Sequence, residues 1–110
     1  MAKGHGEILI LTTIAHTETA TDFIKGLVEK RLAACVTRLP GAHSLYHWES
    51  NELTDDPELV LLIKSHHSRL AEIEKYFEDE HPYTVPELLV FDIDHIGDAY
   101  RGWLMKEIGL

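Results

Sequence analysis

The densest run of chemically capable side chains is His81-Pro82-Tyr83-Thr84-Val85-Pro86-Glu87. A neutral imidazole fixed beside a proline turn can give a lone pair to a metal ion or accept a proton. It can equally cap the preceding helix or hydrogen-bond across a subunit contact. Glu80, which ends the acidic run Glu78-Asp79-Glu80, could share a metal with His81 or simply face water. Cys35, between Ala34 and Val36, offers either a thiolate suited to Cu(I) or Zn(II) or a small apolar group for a core. A nucleophilic Cys35–His81 pair would also need an oxyanion site, and no motif supplies one, so an enzyme is not expected. A second constellation consists of Trp48, Lys64, Tyr83, Glu87 and Trp103. Lys64 ends an apolar strand and needs an acid partner, for which Glu87 is the candidate. Aromatic walls with one acid and one base suit a small polar ligand between subunits, or else a structural ion pair beneath an aromatic cluster. The other histidines are poorer evidence. His66 and His67 are adjacent and point apart, while His43 and His47 lie roughly 13 Å apart on one strand face. His5 falls in residues 1–6, which read as a disordered tail.

These side chains need a scaffold, and composition bounds it. At 110 residues with 45% hydrophobic content the chain reads as one domain with a core of its own. The formal charge of −9 carries no basic cluster, which argues against nucleic acid as a partner. The apolar runs at Ile8–Leu11 and Leu59–Ile63 are far short of the ~20 residues that cross a bilayer, so no membrane partner is expected. The N-terminal residues lack the apolar stretch of a signal peptide, and a single cysteine suits a reducing compartment; both point to the cytoplasm.

Periodicity then orders the elements. Ile8–Leu11 reads as a strand buried on both faces. From Thr17 to Arg31, Ala20, Phe23, Ile24, Leu27 and Val28 form one helical stripe, which Thr17 or Thr19 could cap. Ala33 to Trp48 is extended, with Pro40-Gly41 as a bulge rather than an end. Ser50-Asn51 and Asp55-Asp56-Pro57 carry turn chemistry, and Glu58–Lys64 is the next strand. Ser68 can cap a second helix, with Leu70, Ile73, Tyr76 and Phe77 on its stripe and Pro82 ending it. Val85–Ile93 is a fourth strand and Asp98–Ile108 a last helix. The order βαββαβ plus a helix predicts an α+β, ferredoxin-like sandwich. Its long central hairpin should leave apolar surface that other copies of the chain would cover in a closed homo-oligomer.

The segments Leu32-Ala33-Ala34-Cys35-Val36, Pro40-Gly41 and Ser44-Leu45-Tyr46-His47-Trp48-Glu49 carry a resemblance. So do Leu61-Leu62-Ile63-Lys64-Ser65, His81-Pro82-Tyr83, Pro86-Glu87 and Tyr100-Arg101-Gly102-Trp103. In this order and spacing, from Ile8 to Ile108, the chain resembles the CutA divalent-cation-tolerance family. The resemblance implies a ferredoxin-like subunit in a homotrimer that exchanges strands between neighbours. That plan is similar to the trimeric PII signalling proteins, which bind small ligands between subunits. It further implies binding of a divalent metal, Cu2+ or Zn2+, or of a small ligand, at subunit-interface clefts. A PII-like regulatory or scaffolding trimer with a protein partner is one alternative, and a weak enzyme using His81 or Cys35 is another. Where some family members carry a cysteine and a second histidine, this chain has Thr12 and Glu80, a harder donor set with His81 and a weaker one for copper. Trp48, Lys64, Tyr83, Glu87 and Trp103 match the positions of the family's ligand pocket, and Cys35 is a further candidate to touch a ligand there.

Overall fold

The computed structural model describes residues 2–110. The strands are β1 (Ala2–Lys3), β2 (Glu7–Ile14), β3 (Cys35–His47), β4 (Leu53–His66), β5 (Leu89–Asp92) and β6 (His95–Ile96). The helices are α1 (Glu18–Glu29), α2 (Leu70–Glu80) and α3 (Asp98–Glu107). Four strands form one antiparallel sheet in the order β3-β4-β2-β5. The architecture is therefore mixed α+β. The residues expected as a disordered tail are ordered in part: β1 pairs with β6, and the Gly4 N–H donates to the Asp94 carbonyl. Met1 lies outside the described residues.

Helices α1 and α2 cover one face of the sheet. The stripe Ala20, Phe23, Ile24 and Leu27 meets Ile73, Tyr76 and Phe77 over Ile8, Ile10, Ile14, Leu59, Leu61 and Ile63. Phe23 sits at 5.2 Å from both Tyr76 and Phe77, and the Tyr76 hydroxyl donates to the Phe23 carbonyl at 2.8 Å. Thr17 occupies the N-cap of α1 but makes no side-chain cap bond, and Thr19 lies inside the helix. Ser68 does not cap α2 either. It lies inside a 3₁₀ turn, where its N–H donates to the His66 ring at 3.0 Å.

Strand β3 passes Pro40-Gly41 by a bulge between Leu39 and Ala42, as its sequence predicts. Strand β4 is longer than expected and takes in Asp55-Asp56-Pro57, which reads as a turn in the sequence. The register explains this. Pairing with β2 stops at Ile14↔Leu59, so Leu53–Glu58 is hydrogen-bonded only to β3. On such an edge the missing N–H of Pro57 is tolerated. The reversal comes instead at Ser50 and Asn51, both near φ +60°. Strand β5 is shorter than Val85–Ile93, because residues 81–88 form an irregular strap carrying Pro82 and Pro86.

The second sheet face is met by α3 only at one end, where Tyr100 reaches Cys35 and Arg101 pairs with Glu7, and is otherwise open. Across it the register aligns Phe91 with Leu9, Leu89 with Leu11, Leu11 with Leu62, and Val60 with Leu39. Leu39, Leu89 and Phe91 are 47%, 46% and 50% exposed.

Candidate functional site

Alternation along β4, matched on β3 by a bulge that shifts the row from Leu39 to Ala42, carries this open face into the hairpin. Glu58 and Asp56 follow Val60 at steps of two, and they pair with Ala42 and Ser44. Tyr46 and Trp48 continue the row on the β3 side, with ring centroids 6.0 Å apart and nearly perpendicular planes. The strap after α2 folds over them. There the Tyr83 hydroxyl donates to Glu58 Oε2 at 2.7 Å, and the Tyr46 hydroxyl donates to Asp56 Oδ2. The result is a cleft with two adjoining lobes. The larger, of about 700 Å³, lies among Tyr46, Trp48, Asp56, Pro82, Tyr83 and Val85. The second, of about 490 Å³, adds Thr13, Ser44, Glu58 and Glu87. These sizes suit a small organic molecule.

Both phenols are held protonated. The hydrogen bond to Asp56 is the main cause that raises Tyr46, and burial followed by the bond to Glu58 raises Tyr83 strongly. Glu58 is buried, with 7% exposure, and its second oxygen has no hydrogen-bond partner among the described residues. Trp48 and Val85 stand out into the cleft at 59% and 86% exposure.

The two residue sets expected from the sequence fare differently. His81 is buried and lies within 5.1 Å of Phe23 and 4.8 Å of Tyr83, ring to ring. Its Nδ1 accepts from the Tyr83 N–H at 3.1 Å. Its Nε2 must then carry the proton and donate to the Thr13 carbonyl at 3.0 Å. Neither nitrogen has a lone pair to spare for a metal. Burial lowers the His81 pKa below the usual histidine value. Thr12 is fully buried on the helix-covered face, and its hydroxyl donates to the Glu87 carbonyl at 2.5 Å. Glu80 is exposed at the end of α2. Among the described residues no three His, Cys, Asp or Glu side chains are grouped to hold a metal ion. Of the set His81, Glu80 and Thr12, the imidazole and the hydroxyl are thus engaged in hydrogen bonds within the fold and Glu80 faces outward.

The pocket set divides into two. Trp48, Tyr83 and Glu87 meet in the cleft. Lys64 does not join them, since it pairs in register with Cys35 and donates to the Thr37 hydroxyl. Glu87 is at the level of Thr12, which faces Leu61, three residues or roughly 10 Å along β4 from Lys64. The expected Lys64–Glu87 pair is not made. Cys35 and Trp103 belong to the Lys64 end, where Cys35 Sγ is 3.6 Å from the Tyr100 hydroxyl and Tyr100 packs on Trp103 at 5.5 Å. Burial and then the contact with Cys35 push Tyr100 up to about 12. Asp56 and Glu58 were missing from the expected site. Their spacing of two within the row Thr54, Asp56, Glu58 was a usable signal, obscured by reading Asp55-Asp56-Pro57 as a turn.

Comparison with known proteins places this arrangement. The family model for the CutA1 divalent ion tolerance protein matches residues 8–107. The chain belongs to the CutA divalent-cation tolerance family. The divalent-cation tolerance protein CutA of Thermus thermophilus is 38% identical over 103 residues, covering 94% of this chain and 99% of its own. That of Pectobacterium atrosepticum is 41% identical over 97 residues, covering 88% and 87%. Among solved structures, the Thermus protein superposes with a TM-score of 0.86. CutA from Synechococcus elongatus superposes at 0.91 with 29% identity, over 97% of this chain and 94% of that one. These CutA relatives are named for divalent-cation tolerance. No helix among the described residues is long and apolar enough to cross a membrane.

Proposed function

We propose that this CutA chain serves divalent-cation tolerance as a cytoplasmic homotrimer of ferredoxin-like subunits, and that its working site is a small-ligand cleft at the subunit junctions. The cleft carries the proposal. It is roomy and walled by Tyr46, Trp48 and Tyr83, and it lies on the same open sheet face as Leu39, Leu89 and Phe91. A neighbouring subunit that covers this apolar surface would bring its own edge against the cleft. The strand order β3-β4-β2-β5, with α1 and α2 side by side on one face, supports the ferredoxin-like reading. Direct Cu2+ or Zn2+ binding at His81, Glu80 and Thr12 draws no support, since the imidazole is already bonded at both nitrogens.

The test combines two titrations. Ligand-detected NMR with a panel of neutral, anionic and cationic fragments should find binders that Trp48→Ala abolishes. A panel with no binder, or binders indifferent to Trp48, would overturn the cleft. Calorimetry with Cu(II) and Zn(II) should show no stoichiometric site that depends on His81. Tight binding lost in His81→Ala would restore the metal reading instead.

A further inference from the structure

We infer that the cleft selects small organic cations of the ammonium class. This inference rests on the cleft being a ligand site and names the chemistry of what it takes.

The charge in the cleft is one-sided. Asp56, Glu58 and Glu87 line it, and no lysine, arginine or histidine lines either lobe. Among the described residues none of the three carboxylates makes an ion pair. Glu58 matters most. A carboxylate this buried ordinarily has a cationic partner, because removal of a charge from water is costly. Here it has one phenol on Oε2, while its other oxygen is open to the cleft with no side chain of this subunit bonded to it. His81, which packs against Tyr83, is bonded to Thr13 and Tyr83 in its neutral form and supplies no counter-charge. A bound cation would be the missing partner.

The walls narrow the class. Tyr46, Trp48 and Tyr83 present aromatic rings, whose faces are negative and attract ammonium groups within about 6 Å of the ring centre. Both tyrosine hydroxyls donate to carboxylates, which enriches their rings further. A bare metal ion makes no use of such walls, and the donors are not grouped to coordinate one. The larger lobe's volume of about 700 Å³ is also many times the ~30 Å³ of a water molecule. An ammonium group carried on a small organic body fits the size, the sign and the aromatic lining together. An organic anion of the same size fits neither the sign nor the lining.

The experiment compares choline with its neutral isostere 3,3-dimethylbutan-1-ol, by calorimetry and ligand-detected NMR on the full chain. Choline should bind the wild type, and the isostere more weakly by about tenfold or more. Glu58→Gln, which keeps the shape and an acceptor for Tyr83, should lose about tenfold for choline and little for the isostere. Trp48→Leu at an exposed position should weaken choline without disturbing the fold, so the test survives if Glu58→Gln misfolds. Equal binding of the two probes would overturn charge selection while leaving the cleft a ligand site. If neither probe binds but neutral or anionic fragments do so through Trp48, the inference again falls and the cleft stands. If nothing binds at all, both fall.

Discussion

His81 illustrates how a residue marked for chemistry can be held for structure. Its two nitrogens are used in opposite senses, one accepting from the Tyr83 N–H and one donating to the Thr13 carbonyl, and protonation would put a second donor against the first. The folded chain thus keeps this imidazole neutral, with a pKa lowered by burial. The unfolded chain has an ordinary histidine that takes up its proton first as pH falls through about 6.5. Between that value and the lower folded one, the unfolded state binds more protons, so stability declines with acid. The contribution is complete above about 6.5 and is lost as pH falls towards the folded value. Denaturant titrations of wild type and His81→Gln should therefore give a stability difference that favours the wild type at pH 7 and shrinks by pH 5. A difference constant over that range would mean that His81 is not held neutral. The position of His81 is legible in the sequence, but its protonation is not, because Thr13 lies 68 residues away and only the fold brings it within 3.0 Å.

At the scale of elements, the helical pair shows where packing outweighs propensity. Gly26 lies in the middle of α1, where alanine is ordinarily better by roughly 1 kcal/mol. A Cβ at Gly26 would come within 2.1 Å of the Tyr76 hydroxyl and 3.1 Å of its ring. The hydroxyl is tied to the Phe23 carbonyl at 2.8 Å and cannot move without breaking that bond. Overpacking of this kind costs about 1–3 kcal/mol, which exceeds the helix gain. Gly26→Ala should thus destabilise by about 1–2 kcal/mol in chemical denaturation. In a Tyr76→Phe background, where the clashing oxygen is gone, the penalty should shrink by about 1 kcal/mol or more. An equal penalty in both backgrounds would show that α1 is not seated on Tyr76 as described. The helix stripes and the β3 bulge are readable from period and from Pro40-Gly41, since neighbouring residues decide them. The extra length of β4 is not, because Pro57 is tolerated only where β2 has already ended, and that depends on a register between distant strands. The same limit hid half of the cleft. Trp48, Tyr83 and Glu87 are visible as types, whereas Asp56 and Glu58 join them only once the strand runs through the apparent turn.

The whole molecule is longer than its residue count requires. Its extents are 47 × 24 × 23 Å and its radius of gyration is 14.9 Å, against about 13 Å for a compact chain of this length. The hairpin of β3 and β4 accounts for the excess, and beyond the end where α3 meets Cys35 one sheet face remains uncovered by a helix. On that face Phe91 and Leu9 are paired across β5 and β2, and Phe91 is half exposed. An isolated subunit should lose little when Phe91 becomes glutamate, because the new carboxylate would face water. In an assembly that buries this face, the same substitution places an unpaired charge in an apolar contact and should abolish association. Light scattering should give about three times the 12.5 kDa subunit mass for the wild type and one subunit mass for Phe91→Glu. The melting temperature of the wild type should rise with protein concentration, and that of the variant should not, since only coupled association links stability to concentration. A wild type that scatters as a monomer at micromolar concentration would sink the trimer and with it the placing of the cleft at a junction. A variant that still assembles would move the contact to another surface, with the hairpin end, where Leu45 and Leu53 are 66% and 63% exposed, as the next place to put a charge.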